Sequence, residues 1–451
     1  MKKISSIFSN TFKMFLRDGT TLGVLAGLAL SCIFIFSLAK SDGVLLNELR
    51  IRLRYGFYVL YGLLSFILMY LACISLRKDL DGRQFHNISS APVHRYQIWT
   101  GKLLGLLFLG LSAFIFSSLV LFACSAIYVI QTKGKIDSKI IKENLIRTYY
   151  QCEPQTLPID AQIEKKYRKM QAENLLPANK SDREIRKEIR NEIRKNEQII
   201  PPGGKKKWIF KWNSASATAY GQFVILKFKF YAQQKRDKIP CRFIVSSPSN
   251  MGRWEQEFSV YPYMYHEIKI PLSAIPKSDI IELEFKSDYG EYLIFPVNKD
   301  VSFLYDDGSI FKNYMKLLLI VLINMAVLIS VGLASASLFS YTVSVFVTLV
   351  IYFVGMSSDF FKGVIEEFSY GLHLTYNSPI YFLNGFINFG IWLTQGIKCP
   401  PVIEMFTDSA SISLWKLFLH WGPMVSVYLT VVIAIGIYFI TTKELDKLPS
   451  S

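Results

Sequence analysis

Five apolar stretches of this chain carry no charged side chain: residues 21–39, 57–75, 103–130, 317–358 and 421–442. A helix needs about 20 apolar residues to cross about 30 Å of hydrocarbon. Four of the stretches fit one crossing each. The stretch 317–358 is about twice that length, so it reads as two crossings hinged at the small-residue patch "GLASASLFS" (332–340). The expected fold is therefore a polytopic α-helical membrane protein with six transmembrane helices. Composition agrees: 51% of the 451 residues are hydrophobic and only 19% are charged, against about 25% charged in soluble globular chains.

Lysine and arginine in short loops set the orientation. The N-terminal segment (Lys2, Lys3, Lys13, Arg17) and the 76–102 connector (Arg77, Lys78, Arg83, Arg95, Lys102) are basic, and the tail "TTKELDKLPSS" carries two lysines. Six crossings put all three on one side, the cytoplasm, and residues 131–312 outside it. Arg50, Arg52 and Arg54 between the first two crossings oppose this but are outnumbered. The "SLA" at 37–39 follows too long a leader and core for a cleaved signal. Much of the net charge of +16 lies in 131–312. A basic, solvated or lipid-facing surface outside the cytoplasm accounts for it, and nucleic acid is not an expected partner.

The insert between crossings three and four changes character at "PPGG" (201–204). Before it, residues 131–200 read as a charged helical arm. "DREIRKEIRNEIRKNEQ" sets Ile185, Ile189 and Ile193 on one helical stripe, suited to lying on a neighbouring domain or to a coiled coil. After it, period-two alternation marks half-buried strands. Trp208, Phe210 and Trp212 share one face of such an alternation, Val224, Leu226, Phe228 and Phe230 lie opposite Lys227 and Lys229, and Ile281, Leu283 and Phe285 alternate with Glu282 and Glu284. Further strands are expected at 241–246, 256–260, 265–270, 291–296 and 301–305. The expectation for 201–312 is a β-sandwich of jelly-roll type.

Such sandwiches often hold sugars, and the tyrosines of "YPYMY" (Tyr261, Tyr263, Tyr265) with Trp254 are the candidate glycan contacts. Trp208 and Trp212 fall on the apolar face and read as core. Cys152 and Cys241 are the candidate disulfide, although spacing cannot decide connectivity. The five histidines form no metal-spaced pair, and neither "TGKLLG" nor "PPGGKKK" completes a phosphate-binding loop. No catalytic residue, bound cofactor or metal is expected on this chain. The uncharged stretch 374–397 holds three asparagines and a proline. Such groups are costly in hydrocarbon, so a re-entrant or interfacial segment on the outer face is expected at about 365–415, within a 313–451 block that carries crossings four to six.

The order of the short motifs resembles the permease subunits of the type-2 family of ATP-binding-cassette transporters. "IFSNTFKMFLRDG" (7–19), with Phe8, Phe12, Phe15 and Leu16 on one face, is similar to that family's elbow helix at the start of the first block, 1–130. The connector "SLRKDLDGRQFHNISSAPVHRYQIWTGK" (75–102) resembles its cytoplasmic loop: Asp79, then Asp81 and Gly82, then Ser89, Ser90, Pro92 and Arg95, then Gly101 and Lys102 opening the third crossing. The jelly-roll insert departs from the minimal family pattern.

The resemblance implies a multi-pass protein of a bacterial plasma (inner) membrane whose 77–102 loop couples to a separate ATPase subunit. ATP–Mg would be bound by that partner. A second permease copy or paralogue and membrane lipids complete the expected partners, and the work is export or envelope-related. Arg95 and Lys102 are expected at the cytoplasmic headgroups. The rival reading is a membrane-anchored, extracytoplasmic glycan-binding or sensor protein without an ATPase.

Overall fold

The computed structural model describes residues 2–38, 45–81, 94–131, 147–155, 159–173, 182–211, 223–232, 238–247, 253–275, 278–287, 290–295, 301–358, 360, 397–398 and 400–442. It divides into two compact units: Met1–Leu145 with Phe311–Ser451, and Ile146–Ile310.

The first unit is helical. A short helix α1 (Lys2–Arg17) leads into α2 (Gly19–Leu38), α3 (Leu45–Asp81) and α4 (Arg95–Gln131). After the insert come two further elements, which we number α7 (Ile310–Leu338) and α8 (Tyr341–Met356). They are followed by α9 (Val402–Thr407), α10 (Leu414–His420) and α11 (Gly422–Thr442). Five of these helices, α2, α3, α4, α7 and α11, are long and apolar enough to cross a membrane. The expected hinge lies within 332–340 at its far end: the small residues from Gly332 to Leu338 remain helical, and the break falls at Phe339 and Ser340. The helix beyond it, α8, has 16 residues, fewer than the roughly 20 of a full crossing. It runs back along α3, with Tyr341 at Tyr70, Thr348 at Cys73 and Tyr352 at the Gly62 carbonyl.

Helices in lipid gain little from burying apolar surface against each other, so close backbone approach at small residues takes over. A Cβ on Gly332 would lie 2.9 Å from the Met69 carbonyl oxygen, which is why α7 can lie directly on α3. Polar side chains pin the stretch before α10. Asn313 donates to the Ala410 carbonyl and accepts from the Ile412 amide, both at 2.9 Å. Asn324 accepts from the Tyr61 hydroxyl and donates to the Ile397 carbonyl. Phe406 of α9 meets Phe57, Phe122 and Tyr314. The stretch 374–396, expected to be re-entrant or interfacial, lies outside the described residues; its described continuation, 397–398 and 400–413, is docked on α3 and α7. The arginines that opposed the expected orientation are engaged in contacts. Arg52 pairs with Glu48 at 2.6 Å and lies 4.6 Å over Tyr128, while Arg54 pairs with Asp408.

The second unit is an antiparallel sandwich with a helical hairpin. Its strands are β1 (Arg147–Cys152), β2 (Ile199–Ile200), β3 (Lys205–Lys211), β4 (Phe223–Phe228), β5 (Tyr231–Ala232), β6 (Ile239–Ser246), β7 (Arg253–Val260), β8 (His266–Pro271), β9 (Ile280–Lys286), β10 (Leu293–Ile294) and β11 (Val301–Ser309). The long strands pair as nested hairpins, β1 with β11, β3 with β9, β4 with β8 and β6 with β7. Two cross-joins, β11 to β4 and β6 to β9, assemble them into sheets β1-β11-β4-β8 and β3-β9-β6-β7. This wrapped double strand is the connectivity of a jelly roll. A third, short sheet runs β2-β10-β5.

Aromatic rings close the space between the two main sheets. Phe210 of β3 lies 4.7 Å from Phe303 of β11, and Phe228 of β4 lies 4.5 Å from Phe243 of β6. Trp208 is buried against Phe295, the core position its alternation indicated; Trp212 lies outside the described residues.

Three expectations need correction. The boundary at 200/201 falls inside one unit, because β1, within the stretch read as helical, is a strand of the first main sheet. Its six residues "RTYYQC" are too short to show a period, and pairing along β11 decides their state. The isoleucine stripe packs within a hairpin rather than on a neighbouring domain. Helix α5 (Ile159–Ala172) sets Ile163, Tyr167 and Met170 against Ile185, Ile189 and Ile193 of α6 (Asp182–Gln198). Cys152 and Cys241 form no bridge; both are buried thiols, directed at the Lys211 and Ile239 carbonyls.

Candidate functional site

The two ends of the 77–102 connector are built into the helices, and this is where the motif residues gather. Asp79 and Ser75 stand one turn apart on the last part of α3, so their side chains share a face. Lys102, the eighth residue of α4, reaches across to both. Its Nζ lies 2.7 Å from Asp79 Oδ2 and 3.1 Å from Ser75 Oγ, and it also donates to the Ser75 carbonyl. The two charged side chains retain only 4% and 11% of their exposure. Lys102 was expected at the headgroups. It is instead enclosed, because a carboxylate, a hydroxyl and a carbonyl together satisfy all three of its donors.

Arg95, at the first position of α4, turns to the opposite partner. Its guanidinium donates to the carbonyls of Ile440 and Thr441, at 3.2 and 3.1 Å. These belong to the last turn of α11, whose final carbonyls have no partner within the helix and attract a cation. One turn further along α4, Trp99 is fully buried, and Gly436 of α11 presents bare backbone to its indole: a Cβ there would sit 2.9 Å from Nε1.

The third partner is α1. Gly101 and Gly105 of α4 form a small-xxx-small face. A Cβ on Gly101 would lie 2.7 Å from Ile7 Cγ2, and one on Gly105 2.9 Å from Thr11 Cβ. Phe8 and Phe12 meet the edge of Phe108 at 5.7 and 5.0 Å, and Phe15 is buried. Leu16, expected on the same apolar face, is exposed. Thus α1 is seated on α4 by two adjoining faces.

Of the connector residues named from the sequence, Asp79, Arg95, Gly101 and Lys102 are brought to this junction. Asp81 ends α3. Gly82, Ser89, Ser90 and Pro92 lie outside the described residues. Sequence reasoning missed Ser75, Trp99 and Gly436. A buried serine and a buried tryptophan look like any other crossing residue, and only their partners single them out.

The glycan candidates separate. Tyr261, Tyr263 and Tyr265 share the turn between β7 and β8, whereas Trp254 lies at the other end of β7, roughly 20 Å away along the strand. Trp254 packs on the core edge beside Phe258. Among the described residues no three His, Cys, Asp or Glu side chains gather as a metal site.

Comparison with protein-family models found no matching family, and searches of curated proteins and of solved structures gave no match.

Proposed function

We propose that this chain is the permease subunit of an ATP-binding-cassette transporter, with six crossings, cytoplasmic termini and an extracytoplasmic insert. Its connector would take up the motion of a separate ATPase that holds ATP–Mg, and a second permease copy or paralogue would complete the pathway. The observation that carries the reading is the double attachment of the connector. On one side Asp79 and Lys102 tie the end of α3 to α4; on the other Arg95 ties α4 to the end of α11. A push on residues between Asp81 and Arg95 would reach three helices at once, with α1 carried along on Gly101 and Gly105. A loop serving only to hold positive charge in the cytoplasm would not need Lys102 withdrawn from solvent.

The work is export or a mechanical task on the envelope. The spans are largely apolar, and their buried asparagines Asn313 and Asn324 are committed to structural hydrogen bonds.

The test is ATPase activity of the co-purified complex in nanodiscs. Asp81→Ala/Gly82→Val should insert normally yet lower ATP turnover severalfold or uncouple it from transport. Complex formation, turnover and transport all unchanged would refute coupling through this loop. Absence of any co-purifying ATPase would favour the membrane-anchored glycan-binding or sensor reading, for which the tyrosine turn of the insert speaks.

A further inference from the structure

We infer that the turn between β7 and β8, with the adjoining end of β4, is a binding site for an anionic carbohydrate. This stands on the insert alone and does not depend on the transporter reading.

Three lysines and four tyrosines converge there. Lys227 and Lys229 lie 4.9 and 5.1 Å over the Tyr265 ring, Lys229 also lies 5.0 Å over Tyr231, and Lys238 lies 5.4 Å over Tyr261. Tyr261 and Tyr265 are nearly half exposed, at 43% and 49%. A lysine stem resting on a ring is ordinary packing when it occurs once; here two ammonium groups share the Tyr265 ring and a third lies over Tyr261 of the same turn. Among the described residues, strand register sets one acid in the cluster, Glu267 opposite Lys227, against the three lysines.

The turn is held in shape. Tyr263 sits at φ 70°, a left-handed backbone that a bulky side chain adopts only under constraint. Its amide donates to the Phe230 carbonyl at 2.8 Å, its hydroxyl donates to the Ala232 carbonyl, and its ring meets Tyr231 edge-on at 5.1 Å. His266 Nε2 donates to the Tyr261 carbonyl at 2.6 Å. Strained backbone maintained by several contacts is a mark of ligand sites, and a surface that needs no ordering loses less on binding.

The chemistry of the cluster selects the ligand. A sugar presents an apolar C–H face to a tyrosine ring, while a carboxylate or phosphate on it accepts charge-assisted hydrogen bonds from Nζ. A neutral sugar uses the rings alone, and a polyacid without sugar rings uses the charges alone. An anionic carbohydrate uses both.

The experiment is a titration of the full-length protein in detergent with hexagalacturonate, maltohexaose and polyaspartate of matched charge. Hexagalacturonate should bind at least tenfold more tightly than either control. Lys227→Gln/Lys229→Gln and, separately, Tyr265→Ala should each weaken it about tenfold. Lys205→Gln/Lys207→Gln, which removes two lysines beside Glu284 on the other main sheet, should leave binding unchanged. Equal binding of maltohexaose, equal binding of polyaspartate, no binding of hexagalacturonate, or an equal loss in the Lys205/Lys207 variant would each overturn the inference.

Discussion

Lys102 Nζ lies 2.7 Å from Asp79 Oδ2, an ion pair between the end of α3 and the start of α4 that is almost entirely withdrawn from solvent. Removing one partner of such a pair leaves an uncompensated buried charge and costs about 3–5 kcal/mol, whereas replacing both with apolar groups of similar size is often near neutral. Asp79→Leu or Lys102→Met alone should therefore lower the thermal midpoint of the detergent-solubilised protein strongly. The double variant should recover most of the loss. If the pair carries motion as well as stability, the double variant will fold normally and still couple poorly, which the ATPase assay reads separately.

The seat of α1 on α4 predicts a steric result. Gly101→Leu places its Cβ against both Cγ2 and Cβ of Ile7, and a Cβ cannot swing aside as the tip of a flexible side chain can. The helix should lift. A cysteine at Phe8, now packed against Phe108, should react with a soluble maleimide several times faster in the Gly101→Leu background. Unchanged reactivity would mean that α1 is held elsewhere.

The insert should fold by itself, but its boundaries matter. Residues 146–310 contain both strands of the β1–β11 hairpin. A fragment starting at 201 exposes the edge of β11 to another chain, a recognised route to aggregation. The longer fragment should be monomeric and melt cooperatively, with circular dichroism showing strand plus the α5–α6 helices. The shorter should melt lower or aggregate in size-exclusion chromatography.

Lys206 gives the insert a pH signature. Its Nζ lies 5.2 Å over Trp208 and 5.9 Å over Phe295 and donates to the Glu197 carbonyl, and burial pushes its pKa down to about 8. The unfolded chain keeps the ordinary value of about 10.4 and so binds the proton more tightly between these two values. Stability therefore rises with pH from about 8 to 10.4, and the cost of charging Lys206 is borne in full below 8. Lys206→Met should melt higher than wild type at pH 7, with the gap closing by pH 10.4 in paired thermal melts.

The proposed orientation is open to labelling. Arg168 on α5 has a well-exposed side chain. In a cysteine-depleted background, Arg168→Cys should be modified by a membrane-impermeant maleimide from outside intact cells. Modification only after permeabilisation would reverse the orientation and remove the transporter proposal with it.

Much of this protein was determined by pattern alone. Uncharged stretches of crossing length follow from the cost of charge in hydrocarbon, a one-dimensional property, so the apolar helices could be placed by reading along the chain. The alternation in β3, β4 and β9 likewise reflects which face of a strand is dry, and it located Trp208 and Phe285 in the core. Tertiary structure decided whatever depends on a partner distant in sequence. Residues 147–152 are a strand because β11, over 150 positions away, supplies their hydrogen bonds. Ile185 and Ile189 turn inward because α5 folds back on them. Lys102 reads as one more basic residue near a membrane surface until Asp79 and Ser75 are seen around it. A lysine's place, inside or out, is settled by what surrounds its ammonium, and that is a property of the fold.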